Sequence, residues 1–147
     1  MPSMLGQIPS TTPDTDLQLR IPAKNVGSSD IDAYGVAEIT DTKYDSIFGT
    51  MYLEIRTPTS DSVKTVVVNT EAPIEAGMFG QVSPTFPTWV KYDSADGVPA
   101  LNEQWGPASG TCLAKKGKIG FLAIPLASGV TPPRTDLAMM MLEVCRA

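Results

Sequence analysis

Few side chains in this sequence are of the types that catalysis or metal binding requires. The chain has no histidine, and its two cysteines, Cys112 and Cys145, lie in separate segments. The usual zinc-binding patterns cannot be built from such a set. Two acidic stretches, residues 41–45 and 93–97, bring carboxylates together, but neither continues into an EF-hand loop. Both are predicted to be Asx-type turns, and we expect no metal and no cofactor.

Nucleophilic catalysis would need a serine or cysteine beside a base, and without histidine that base would have to be lysine, a carboxylate or a terminal amine. Cys112 lies in a predicted strand, where an inert, packed thiol is expected. Glu71 and Glu75 are four residues apart, but Pro73 prevents them from sharing a helical face. We expect a protein that is not an enzyme. The alternative, a hydrolase with an unfamiliar site, predicts a deep pocket with convergent carboxylates of perturbed pKa.

The elements that would have to position any site are short strands. Thirteen prolines and twelve glycines in 147 residues leave little room for long helices. The expected fold is all-β: a compact β-sandwich or β-barrel-like domain of short antiparallel strands over residues 17–147, preceded by an extended N-terminal arm, residues 1–16. Hydrophobic residues make up 42% and charged residues 18% of the chain, so burial against partners is expected.

Alternation of apolar and polar residues locates the strands. They are predicted at residues 17–21, 34–40, 51–56, 63–69, 86–92, 111–114, 118–124 and 136–145, the last of which also has helical character. Residues 74–82 are interpreted as a turn leading into a strand, with Gly77 suited to a positive φ. Pro87 places the strand at 86–92 at an edge or a bend. The β-branched run at 63–69 is expected to be central, with both faces covered. Residues 111–114 are expected to pair with 118–124 in a hairpin. Residues 41–49 and 102–110 are interpreted as loops.

The net charge of -5 and a pI near 4.6 argue against broad contact with nucleic acid. Lys115, Lys116 and Lys118 are interpreted as a solvated turn. No stretch resembles a signal peptide or approaches the length of a membrane span. Two free, buried thiols are typical of a protein made in a reducing cytoplasm.

Two groups of apolar residues are candidates for contact with a partner. The arm carries Met4, Leu5 and Ile8 among three prolines, and such a segment needs a surface to lie against, for which a neighbouring subunit is the simplest candidate. The alternative is a frayed terminus. The second group is aromatic: Trp89, Tyr92 and Trp105, the last in the predicted loop of Gln104, Trp105, Gly106 and Pro107. These rings are expected at an interface or in the core, and they could also stack on a sugar.

Four short motifs carry a resemblance to a known group of proteins. They are AYGVAEI at residues 33–39, IEAGMFG at 74–80, VPALNEQWGP at 98–107, and Gly120-Phe121. Together they resemble a module of tailed-bacteriophage structural gene products, in which an aYGV strand, a glycine turn and a WGP loop recur at similar spacing.

The resemblance implies a capsid decoration, or cement, protein. Such proteins are small β-rich domains, commonly homotrimers, that bind the assembled major capsid protein shell and stabilise it. The implied location is the exterior of the virion capsid after synthesis in the host cytoplasm, with the major capsid protein and further copies of the chain as partners, and with no nucleic acid or membrane. The alternative is a tail-fibre or appendage module that binds a host-surface glycan through Trp89, Tyr92 or Trp105.

Overall fold

The described residues form ten β-strands in two five-stranded sheets. The structure is a computed structural model, and it describes residues 19–61, 65–84, 87–124 and 129–143. The strands are β1 Ile21–Asn25, β2 Val36–Asp45, β3 Thr50–Arg56, β4 Val66–Asn69, β5 Phe79–Ser83, β6 Thr88–Lys91, β7 Gln104–Ala108, β8 Thr111–Lys116, β9 Phe121–Ala123 and β10 Leu137–Leu142. The all-β prediction is confirmed. The predicted arm, residues 1–16, lies outside the described residues.

The first five strands close into a barrel in the order β1-β3-β2-β4-β5. Antiparallel pairing of β1 with β5, from Ile21 opposite Val82 to Lys24 opposite Phe79, completes the ring. The pair β1–β3 is parallel, with Ala23 opposite Leu53. A closed ring of this kind leaves no sheet edge along its paired length.

The other five strands form a second sheet in the order β6-β10-β9-β7-β8. Its two outer strands also meet, because Tyr92, just after β6, forms a single bridge to Ala114 of β8. The Lys115 ammonium on β8 reinforces this contact, because it lies 2.7 Å from Asp93 and 3.4 Å from Asp96. Asp93 caps, and Asp96 ends, the one-turn 3-10 helix Ser94–Asp96 that follows β6. The second sheet is therefore curled nearly into a ring.

Strands β2 and β4 form a wall that both cores share. Successive side chains of a strand point to opposite faces, and Val67 belongs to the core of the barrel whereas Val68 belongs to the core of the second sheet. Ala37 and Val36 divide in the same way. The prediction that the β-branched strand is central and covered on both faces is confirmed for β4.

Several sequence-based boundaries and pairings were wrong. The first strand, predicted at residues 17–21, begins at Ile21 and includes Pro22. Pro22 pairs with Gln81 of β5, and the ladder with β3 begins at the next residue, Ala23. Residues 41–45 are not loop but the second half of β2, and residues 104–108 are not loop but β7. The predicted hairpin of residues 111–114 with 118–124 does not form, since β8 pairs with β7 across Gly110 and β9 pairs with β7 and β10.

The physical reason lies in the turns. Gly110 has a φ of 81°, which suits a tight turn between β7 and β8, and it brings these neighbours together before residues 118–124 are reached. The final strand at 137–142 and the position of β6 at the end of its sheet agree with the predictions. Gly77, expected to adopt a positive φ, has a φ of 83°.

Candidate protein-contact site

The predicted interface residues do not form one surface. Tyr92 and Trp105 lie together in the core of the second sheet, with ring centroids 5.6 Å apart in a T-shaped contact. Trp105 is 0% exposed, and Gly106 and Pro107 are buried beside it. The prediction that Tyr92, Trp105, Gly106 and Pro107 contact a partner is therefore corrected. Trp105 is a core residue of a buried strand, because its large apolar ring is fully covered by the second sheet.

The remaining predicted contact residues are dispersed. Trp89 is half-buried on β6, and Gln104 is exposed on β7, where its amide donates a hydrogen bond to Glu143 Oε2 at 2.9 Å. Met4, Leu5 and Ile8 lie outside the described residues. The three aromatic rings therefore do not line the shallow sugar pocket that the glycan-binding alternative requires.

Close packing explains two glycines of the resembling motifs, Gly35 and Gly106. A Cβ atom on Gly35 would lie 2.9 Å from both Asp32 O and Cys112 Cβ, and one on Gly106 would lie 2.6 Å from Ile119 O. Gly35 stands where the barrel meets β8, and Tyr34 O accepts a hydrogen bond from the amide of Lys91 on β6. These motif residues hold the two sheets together and are not a binding surface.

The surface that stands out is the end of the β2–β3 hairpin. Its two strands pair from Thr42 opposite Leu53 to Asp45 opposite Thr50. The β1 ladder reaches β3 only from Leu53 onwards, and the β4 ladder reaches β2 only up to Glu38. Within the described ranges, residues 41–52 pair only across the β2–β3 hairpin itself. We call residues 41–52 the overhanging hairpin.

The turn at the end of the overhanging hairpin is locally ordered. One carboxylate oxygen of Asp45 accepts hydrogen bonds from the amides of Ile47 and Phe48, at 2.9 and 3.4 Å. Gly49 has a φ of 65°, which glycine adopts without steric cost. The tip is therefore a defined Asx-type turn that holds two large apolar side chains outward.

Apolar exposure in the overhanging hairpin is high. Ile47 is 85%, Phe48 79%, Tyr44 64% and Met51 61% exposed. Tyr44 and Met51 are directly opposite each other, on the face that continues into the barrel core through Leu53. The barrel covers that face only as far as Leu53. The hairpin consequently presents core-type side chains to solvent.

Charge is confined to the β2 side of the overhanging hairpin. Asp41, Lys43 and Asp45 lie on β2, whereas residues 46–53 carry no charge at all. Lys43 Nζ lies 3.2 Å from Asp41 Oδ2. The Thr42 amide and the Lys43 ammonium hold the pKa of Asp41 below its ordinary value. The two strands of the hairpin thus differ sharply in polarity.

A second apolar area adjoins the hairpin on its other face. Tyr52 makes a T-shaped contact with Phe79 of β5, with centroids 5.2 Å apart, and the Lys24 ammonium lies 5.6 Å from the centre of the Phe79 ring. Phe79 and its neighbour Met78 are 61% and 57% exposed. Apolar surface therefore extends from the hairpin onto the barrel wall.

A cleft of about 420 Å³ lies near the opposite end of β3. The described residues that line it are Val26, Gly27, Ser28, Ser29, Arg56, Thr57, Pro58, Thr59, Ser109 and Gly110. They include hydroxyl groups and one guanidinium but no carboxylate. The cleft does not match the convergent carboxylates that the hydrolase alternative requires.

The carboxylate of Glu38 is held by neighbouring hydrogen-bond donors. Glu38 Oε1 accepts hydrogen bonds from Thr59 Oγ1 at 2.8 Å, from the Thr59 amide at 2.9 Å and from Arg56 Nε at 3.1 Å. Burial raises the pKa of Glu38, but these bonds together outweigh burial and place that pKa below its ordinary value. A carboxylate with a lowered pKa is a poor general acid, and its role here is structural.

Sequence reasoning missed the overhanging hairpin because residues 41–49 were interpreted as a polar loop. The available signal was the adjacent pair Ile47 and Phe48 inside an otherwise polar stretch. It also missed Asn25 and Asn69, both buried, whose side-chain amides donate to loop carbonyls, Asn25 to Ser29 and Ile74 and Asn69 to Ile31, Asp32 and Ala72.

Searches for other kinds of site and for relatives were negative. Among the described residues, no three metal-ligating side chains cluster, and no helix is both long and apolar enough to cross a membrane. Comparison of the chain with protein-family models, with curated proteins and with solved structures found no match.

Proposed function

We propose that this protein is a non-catalytic capsid decoration protein of a tailed phage, which binds the assembled major capsid protein shell and stabilises it. The observation that carries the proposal is the overhanging hairpin, an ordered turn that exposes Ile47 and Phe48 almost completely. Large contiguous apolar surface on a folded chain is typical of a protein-contact site. The resemblance of the motifs at residues 33–39 and 98–107 to phage structural proteins supplies the kind of partner.

Binding to the assembled lattice would stabilise it by mass action. A ligand that binds the expanded shell, and not its dissociated or unexpanded forms, lowers the free energy of that state alone. The acidic balance of the chain, a net charge of -5, fits a protein that stays on the exterior and away from packaged DNA.

The test is co-sedimentation of the purified protein with DNA-filled particles of the phage whose genome encodes this chain, prepared without it. The wild-type protein should sediment with expanded particles at a saturable ratio and raise their thermal disruption temperature, and it should not sediment with unexpanded proheads.

The variant Phe48→Asp should weaken binding to expanded particles by at least about tenfold, because it places a charge in the contact. The matched control is Val98→Asp, which should bind like the wild-type protein because Val98 is equally exposed but lies outside the hairpin. Absence of wild-type binding to expanded particles would overturn the proposal.

A further inference from the structure

We propose that the overhanging hairpin also joins two copies of this chain, by antiparallel pairing of the β3 edges about a two-fold axis at Met51. The inference rests on the proposed role as an assembly protein and names one partner of that surface, namely a second copy.

The free edge of β3 is the first observation. On the side away from β2, β3 is paired with β1 only over residues 53–55, so Thr50, Met51 and Tyr52 have no ladder partner there among the described residues. The first half of β1 turns to β5 instead, with Ile21 opposite Val82. An unpaired edge offers backbone donors and acceptors to another strand.

The side chain of Arg20, immediately before β1, points away from this edge. The Arg20 guanidinium is bound to the Glu71 carboxylate, with its two nitrogens 3.2 and 3.3 Å from the two oxygens, and Glu71 lies in the β4–β5 connection on the far side of β5. Pro22 has no amide hydrogen to donate. The described part of the same chain therefore does not continue the β1–β3 ladder across Thr50–Tyr52.

Charge distribution selects the β3 edge over the β2 edge. Charged side chains protect an exposed edge from pairing, and β2 carries Asp41, Lys43 and Asp45 whereas residues 46–53 carry none. Two β3 edges placed antiparallel about Met51 bring Thr50 of each copy opposite Tyr52 of the other. No like charges meet in this arrangement, and the pairing of an aromatic with a β-branched residue is favourable.

The apolar area at the axis fits a weak, reversible dimer. From their exposed fractions, Tyr44 and Met51 together expose on the order of 300 Å² per copy, and Ile47 and Phe48 at the turn stay free for the capsid contact. Two copies would bury on the order of 600 Å² of side-chain surface before backbone pairing is added, which is the size range of weak, transient interfaces. A two-fold interface needs a surface that is complementary to itself, and a neutral edge centred on one residue meets that requirement.

Disulfide trapping tests the register of this interface. In a Cys145→Ala background, Met51→Cys places two thiols opposite each other at the two-fold axis, where the Cα atoms of paired residues lie about 4.5–5.5 Å apart, within disulfide range. The matched control is Tyr44→Cys, on the same face of the hairpin but one strand further from the axis. Its Cα atoms would be about 14 Å apart across three strand spacings, too far to be bridged. Cys112 is buried.

Under mild oxidation, the Met51→Cys protein should yield at least about tenfold more disulfide-linked dimer than the Tyr44→Cys protein. Sedimentation equilibrium of the wild-type protein should show a monomer–dimer equilibrium, and Met51→Lys should shift it to monomer with an unchanged circular dichroism spectrum. Equal cross-linking at both positions, a wild-type monomer at every concentration, or a trimer would each overturn the inference. A monomer that still binds capsid particles would refute only this inference, whereas a dimer that binds none would refute only the proposed function.

Discussion

Single polar residues fasten the loops of this protein to its strands, and Glu38 is a charged residue that does so. It lies on β2 with 8% of its surface exposed, and one carboxylate oxygen receives all three of its hydrogen bonds, from Arg56 on β3 and from Thr59 beyond it. A buried charge is tolerated only when such partners replace water. Glu38 therefore ties the residues after β3 back to the barrel.

The lowered pKa of Glu38 fixes the sign of a pH dependence. Because the folded-state pKa lies below the ordinary value of 4.5, the contribution of Glu38 to stability is complete above about pH 4.5 and is lost as the pH falls through the folded-state pKa. Several carboxylates that are more exposed than Glu38 have pKa values lowered in the same direction and add smaller contributions; they are Asp61, Glu71, Asp93 and Glu103.

We predict that Glu38→Gln lowers the free energy of unfolding by about 1–2 kcal/mol at pH 7, because charge-assisted hydrogen bonds become neutral ones. Urea unfolding at a series of pH values from 7 to 3 measures this difference. The stability of the wild-type protein should fall below pH 4.5, and the gap between the two proteins should close there, since protonation removes the same charge. Glu75→Gln, at an exposed position, is the control. A gap that persists at pH 3 would contradict the assignment.

At the scale of strands, glycines decide which elements can approach each other. Gly106 of β7 lies against the backbone that joins β8 to β9, where an added Cβ would be 2.6 Å from Ile119 O and 3.0 Å from Lys118 C. Backbone atoms cannot move aside as a flexible side chain can. The passage of this connection over β7 therefore depends on the absence of a side chain at residue 106.

We predict that Gly106→Ala lowers the free energy of unfolding by about 3 kcal/mol, as expected for overpacking against a fixed backbone. Gly110→Ala provides the comparison: its Cβ would meet nothing within 4 Å, but its φ of 81° is strained for alanine, which costs about 1–2 kcal/mol. Chemical denaturation of both variants measures the difference. Equal losses would show that the β8–β9 connection yields to the added methyl group.

The same strands show how far the sequence predicts this fold. Periodicity located β3, β4, β6, β8 and β10, because alternation and β-branching are local properties. Strand pairing is not a local property. Strand β9 was expected beside β8, yet it lies between β7 and β10. The turn at Gly110 and the packing around Trp105 determine this order. Trp105 looked like a loop residue because the glycine and proline after it are turn formers, and their burial in β7 follows only from the tertiary contacts.

The candidate contact site was predictable only in part. The exposed pair Ile47 and Phe48 is visible in the sequence, but whether it fills a core depends on which strands cover the hairpin, and that depends on the length of β1 and β4. The charge difference between β2 and the uncharged residues 46–53 can also be seen in the sequence. It indicates a pairing edge only once the structure shows that the edge of β3 is unpaired.

For the molecule as a whole, the wall that β2 and β4 form between the two cores implies cooperative unfolding. Val36 and Val68 contribute to the core of the second sheet, while Cys112 of β8 packs in the core of the barrel. Each sheet contributes side chains to the core of the other. Neither core is complete on its own, so we expect the prediction of one domain over residues 17–147 to hold in solution.

Both tryptophans, Trp89 and Trp105, lie in the second sheet, so their fluorescence reports on that sheet alone. We predict that Ile55→Ala, deep in the barrel at 0% exposure, lowers the free energy of unfolding by about 3 kcal/mol. If the shared wall couples the cores, tryptophan fluorescence and far-UV circular dichroism will show the same shifted midpoint in one transition. Met140→Ala, in the core of the second sheet, is the reciprocal control. A fluorescence midpoint that stays at the wild-type value while the circular dichroism curve splits would mean that the two sheets unfold separately.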